Sequence, residues 1–284
     1  MRKQNLRFLF IFIILACANN ILAQESNIYT NYDLSFRNGL DLYSKGQYGD
    51  AQKIFEDVAK KMDYGVSQLK SDAEFYRAMC AIEQTNDDAE YLIGSFINNY
   101  PESQKVDFAY LEMGRLRYNQ KDYTSALTWF QKIDKKAFNA EQKADMQFMV
   151  GYSYFNLNNN DAASKAFFEI KDTDNKFASP ATYYYSHIAY SQKNYATALK
   201  GFQKLQKDET FAPVAPFYIA QIYYLQHEYE KVVEFAPALI ETASAKRAPE
   251  IARLVGDSYY RLKKYVDGIP YFEQYLQKAQ NITR

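Results

Sequence analysis

A short pattern recurs along this chain every 34 to 38 residues, and that recurrence limits the fold more than any other feature. It is plainest in FAYLEMGRLRYNQKDYTSALTWFQKI, from Phe108 to Ile133. Leu111, Gly114 and Tyr118 recur at helical spacing, Lys121, Asp122 and Tyr123 make a polar corner, and Ala126, Leu127, Phe130 and Ile133 recur at helical spacing again. The stretch reads as two short helices, A and B, folded into an antiparallel hairpin. Gly39, Tyr48, Ala51 and Phe55 repeat Gly114, Tyr123, Ala126 and Phe130 with the same internal gaps, and Gly151, Ala163 and Phe167 do so again.

The small residue of helix B is followed through the chain as Ala51, Ala89, Ala126, Ala163, Ala198, Val232 and Gly268. Spacing this even leaves no room for an inserted second domain. It predicts repeats near 34–61, 72–101, 107–134, 141–171, 180–207, 213–243 and 249–279. Two copies depart from the pattern. The second has a corner, Gln84 to Asp88, that is one residue short and lacks the tyrosine. The sixth has Ala236 in place of the helix-B aromatic, followed by Pro237, which removes a backbone donor and predicts a short or kinked helix. A single hairpin exposes an apolar face that only its neighbours cover, so stability comes from stacking. The small residue in helix A, the aromatic before helix B, the alanine in helix B and the aromatic one turn later resemble the tetratricopeptide repeat (TPR) motif. The resemblance implies an all-α fold, a right-handed α-solenoid of about seven helix-turn-helix hairpins, and protein binding in its concave groove.

Before the first repeat, Arg2, Lys3 and Arg7 precede an unbroken apolar run from Phe8 to Ala18. The run is shorter than the roughly 20 residues that span a bilayer. It matches a secretory signal peptide ending at Ala23, and so predicts removal of residues 1–23, a polar leader over 24–33, and export to the periplasm or the outer membrane. The alternative is a lipid on Cys17, although Leu15 fits the lipid-attachment pattern poorly. No transmembrane segment is predicted in the repeats, so membrane attachment would be peripheral or through that lipid. The full chain has 34 basic and 34 acidic residues, and no basic stripe that nucleic-acid binding would need. Beyond the leader the remaining cysteine is Cys80, which reads as a small buried apolar residue.

No catalytic, cofactor or metal motif is visible: His187 and His227 have no metal-ligand spacing, and there is no glycine-rich phosphate loop. The candidate binding surface comes from the resemblance, which sends two helix-A positions, seven residues apart, into the groove. Here the pairs are Phe36 and Tyr43, Phe75 and Ile82, Leu111 and Tyr118, Phe148 and Phe155, Tyr183 and Tyr190, Phe217 and Tyr224, and Arg253 and Tyr260. Either these rings pack on helix B of their own hairpin, or they contact a ligand. The abundance of tyrosine, whose hydroxyl a dry core would have to satisfy, favours the wet groove. Tyr43, Tyr118, Phe148, Phe155, Tyr183, Tyr190, Phe217, Tyr224, Arg253 and Tyr260 are the candidate partner-binding residues, with Tyr118, Phe155, Tyr190 and Tyr224 as one exposed strip. The implied function is a non-enzymatic protein-binding scaffold in the envelope of a Gram-negative-type cell, in outer-membrane or cell-wall assembly. A glycan-binding envelope protein using the same aromatics is the alternative. Finally, Ile269, Phe272, Tyr275 and Leu276 of the last repeat are expected to face outward, covered by further repeats or another chain.

Overall fold

The computed structural model describes residues 31–62 and 67–280; the signal segment 1–23, with Cys17, lies outside the described residues. Fourteen α-helices and no strand occur among them. They divide between two compact units that meet in sequence at Asp134 and Lys135. The first unit holds α1 (31–44), α2 (Tyr48–Lys61), α3 (Gln68–Glu83), α4 (Ala89–Asn99), α5 (Val106–Asn119) and α6 (Tyr123–Phe130). The second holds α7 (Ala140–Asn156), α8 (Asn160–Ile170), α9 (Ala178–Ser191), α10 (Tyr195–Lys204), α11 (Ala215–Leu225), α12 (Tyr229–Phe235), α13 (Ala248–Arg261) and α14 (Tyr265–Gln280). Within each unit, helices consecutive in sequence pack on one another, so each is a stack of hairpins.

All seven hairpin corners use one device. Gly46, Thr85, Lys121, Asn158, Lys193, His227 and Lys263 hold left-handed backbone, with φ between 55° and 73°. The peptide after each bends back onto the end of helix A: Asp122 N–H donates to the Arg117 carbonyl at 2.9 Å, and Asn194 N–H to the Ala189 carbonyl at 2.8 Å. These bonds satisfy carbonyls that the helix end leaves open. Asp122, Asn159 and Asn194 then cap helix B, accepting from the amides of Ser125, Ala162 and Thr197. In the second hairpin the missing residue is absorbed after Thr85, where 87 and 88 form a turn and the helix starts only at Ala89. The register then recovers, with Ile93 fully buried in the place of the aromatic.

The hairpin interior is a seat for one ring. A Cβ built on Gly39, Gly114, Gly151 or Gly256 would fall 2.7, 2.3, 2.8 or 3.1 Å from the ring of Phe55, Phe130, Phe167 or Phe272. Where helix A carries Ala220, helix B answers with Ala236, and both are fully buried in one apolar cluster. As Pro237 predicts, α12 ends at Phe235 and a 3-10 turn, Pro237–Leu239, follows.

Between hairpins the contact is again aromatic. Tyr76 stacks on Phe55 at 5.4 Å, Tyr184 on Phe167 at 5.4 Å and Tyr218 on Phe202 at 4.6 Å, each ring coming from helix A of the following repeat. Cys80 is buried among apolar residues, which pushes its thiol up to about 12, with Glu83 adding to the effect. On α14 the sequence reading needs one correction: Ile269 and Leu276 are exposed, but the Phe272 ring lies over Gly256 and Tyr275 packs against the cluster around Val255.

Candidate functional site

The second member of each helix-A pair lies in the last turn before the corner, and in five repeats it meets the tyrosine that opens helix B. Tyr43 lies 5.3 Å from Tyr48, Tyr118 6.0 Å from Tyr123, Tyr190 6.0 Å from Tyr195, Tyr224 5.8 Å from Tyr229 and Tyr260 5.4 Å from Tyr265. The rings close the ends of their own hairpins. Some also reach the next repeat: Tyr190 lies 5.4 Å from Tyr218 and its hydroxyl donates to Oε1 of Gln221 at 3.2 Å, while the Tyr224 hydroxyl donates to the Asp257 carboxylate. Burial and then that carboxylate raise the Tyr224 phenol above its ordinary value. The expectation of freely exposed tyrosines is therefore corrected at Tyr190 and Tyr224. Their hydroxyls are satisfied one repeat ahead, so they need no water.

The first members are covered on their faces. Phe177 stacks on Phe148 at 4.8 Å and Phe211 on Tyr183 at 4.8 Å, while the Arg247 guanidinium sits 5.7 Å from the Phe217 centroid. These covering residues come from the connections between repeats. Phe155 packs edge-on to Tyr184 at 5.1 Å, and Arg253 is held by Glu250 at 2.6 Å. What remains open along helix A is a row of half-buried ring edges, in the first unit Tyr43 and Tyr118, in the second Phe148, Phe155, Tyr183, Tyr190, Phe217 and Tyr224. Tyr260 is the most open of the candidates, at 57% exposure. Sequence reasoning missed Tyr76, Tyr184 and Tyr218, the rings that couple hairpins; their signal is that each directly follows the first member of its pair.

His187 lies in this row, ringed by Phe155, Tyr183 and Tyr218 at 5.7 to 6.1 Å, with its Nδ1 buried and unbonded. Burial lowers its pKa from the usual 6.5. The unfolded chain then binds this proton more readily, so its contribution to stability is complete above about pH 6.5 and is lost as pH falls through the depressed folded value. His187→Phe is expected to flatten the fall of urea midpoints below that pH. An unchanged pH profile in the variant would show that the imidazole is not the titrating group.

Residues 72–103, which span α3 and α4, match the tetratricopeptide repeat family model. No curated protein sequence matches the chain. Among solved structures, the C-terminal part of a TPR repeat-containing protein from Cytophaga hutchinsonii is similar at 17% identity and a TM-score of 0.56, over 85% of this chain and 94% of that one. MamA is similar at 16% identity and 0.52, over 62% of this chain and 93% of its own. PilF of Pseudomonas aeruginosa is similar at 11% identity and 0.51, over 88% and 97%. At these identities the likeness is one of fold.

Proposed function

We propose that this chain, a protein of tetratricopeptide repeats, is a non-enzymatic scaffold that holds a segment of a partner protein along its helix-A surface. The observation that carries the reading is register. Successive hairpins of one unit present ring edges at the same two positions, so an extended or helical segment meets similar contacts at each step. Half-buried tyrosines and phenylalanines suit such contacts, giving large area at little entropic cost. The basic and apolar leader supports export, and we place the scaffold in the periplasm or at the outer membrane, in assembly of that membrane or of the wall. The glycan reading has less support, because sugar rings stack on aromatic faces. Here Phe177 and Phe211 cover Phe148 and Tyr183, and Lys132 sits 3.9 Å from the Trp129 centroid.

Tyr260 gives the cleanest test, since its exposure separates binding from folding. Tyr260→Ala is expected to change stability by within about 0.5 kcal/mol yet to weaken partner capture from envelope extracts by about 2 kcal/mol, roughly thirtyfold. A retarded band in a polysaccharide gel, with no protein captured, would favour the glycan alternative. Recovery of the protein in the cytosolic fraction with Met1 retained would contradict export.

A further inference from the structure

We propose a second binding site on α8, α9 and α10, for an acidic segment of a partner protein that also bears an aromatic or aliphatic side chain. It goes beyond the helix-A surface and does not depend on it. By helical rotation Tyr185 points about 160° away from Tyr183 and about 140° away from Tyr190 on α9.

Two residues here break the repeat. Phe168 is 59% exposed, whereas its counterparts in the other hairpins are Glu56, Gly94, Gln131, Gln203, Pro237 and Glu273. It has no place in the ring seat, which Phe167 fills. Gly201 stands where other repeats have Ile54, Leu92, Trp129, Ala166, Phe235 and Tyr271, and a Cβ there would lie 1.8 Å from Ser186 Oγ. The glycine therefore lets α9 and α10 approach closely, and beside that contact lies a cleft lined by Phe168, Lys171, Asp172, Tyr185, Lys200 and Lys204.

Its lining suits a ligand that carries an anion and a ring. The exposed Phe168 lies 5.8 Å from the half-buried Tyr185, with the Lys171 ammonium 4.8 Å and 5.2 Å from the two centroids. Lys171 and Lys204 converge on the Asp172 carboxylate, Lys204 at 2.7 Å, and hold its pKa down to about 2. The chain thus supplies one carboxylate of its own at the point where a ligand carboxylate would sit. Lys200 lines the same cleft, is exposed, and carries no ion pair among the described residues. Three lysines against one aspartate leave an excess of positive charge beside an apolar contact, which an acidic segment with one ring or branched aliphatic residue complements. The adjoining hollow over the same pair adds Lys165, Asp161 and Glu169, so the excess lies on the α10 side.

The test is fluorescence anisotropy on the full chain with a labelled peptide carrying one central phenylalanine flanked by aspartates and glutamates. A peptide with lysines in place of the acidic residues, and phosphatidylglycerol vesicles, serve as the other probes. Saturable binding of the acidic peptide that weakens with salt is expected, and Lys200→Glu and Phe168→Ser should each weaken it about tenfold or more. Both side chains are exposed, so melting should not move, and Tyr260→Ala should leave this binding unchanged. The proposal is overturned if the acidic peptide does not bind up to millimolar concentration or if the lysine peptide binds equally well. Insensitivity to both variants, or binding of vesicles through these residues without the peptide, would overturn it too.

Discussion

Phe167→Ala is expected to destabilise the second unit by about 3–5 kcal/mol, the usual loss when a fully enclosed phenylalanine is truncated. Phe167 is fully buried and is held between two other helices, α7 and α9. Gly151 on α7 forms its seat, the Phe148 ring approaches to 5.8 Å, and Tyr184 of the next hairpin stacks on its face at 5.4 Å and 16°. Helices joined at a tight corner cannot close the gap without moving the whole hairpin, so little of the cavity should collapse. Urea unfolding followed by circular dichroism checks it, and a loss under 1 kcal/mol would show that the ring is not the keystone of its hairpin.

Gly114→Ala and Gly94→Ala are expected to act with opposite signs although the exchange is the same. Both glycines lie in helices, where alanine is favoured by about 1 kcal/mol. At Gly94 an added Cβ meets nothing within 4 Å, so that gain is realised and the first unit should be stabilised. At Gly114 the Cβ would lie 2.3 Å from the ring of Phe130, which is itself buried. Overpacking costs about 1–3 kcal/mol and outweighs the helical gain, so Gly114→Ala should be destabilising. Paired thermal melts decide it; two shifts of the same sign would mean that helix propensity alone governs both sites.

Much of this architecture could be read from the repeat itself. The glycine on helix A and the phenylalanine on helix B are separated by sixteen residues in four hairpins, and the structure shows one packed onto the other. The break at Pro237 was legible because proline acts locally, through its missing donor. The role of the helix-A tyrosines was not. A hydroxyl argues for water only if no protein acceptor is near, and the acceptors of Tyr190 and Tyr224 lie at Gln221 and Asp257, a full repeat ahead. Periodicity fixes what recurs but not which partner it faces. The rings that cover Phe148 and Tyr183 were hidden for a different reason: Phe177 and Phe211 lie in connections between repeats, where no helical period operates. Phe168 stood out only once its neighbour Phe167 was seen to fill the seat, since adjacent phenylalanines in a sequence do not reveal which one turns inward.

Aromatic residues join successive hairpins as well as filling them. A double-mutant cycle between Phe167→Leu and Tyr184→Leu measures that join directly, because the two rings come from different hairpins. A favourable coupling of about 0.5–1.5 kcal/mol is expected, as for other well-placed ring pairs. Strictly additive losses would contradict it, and would return Tyr184 to the status of an ordinary half-buried side chain.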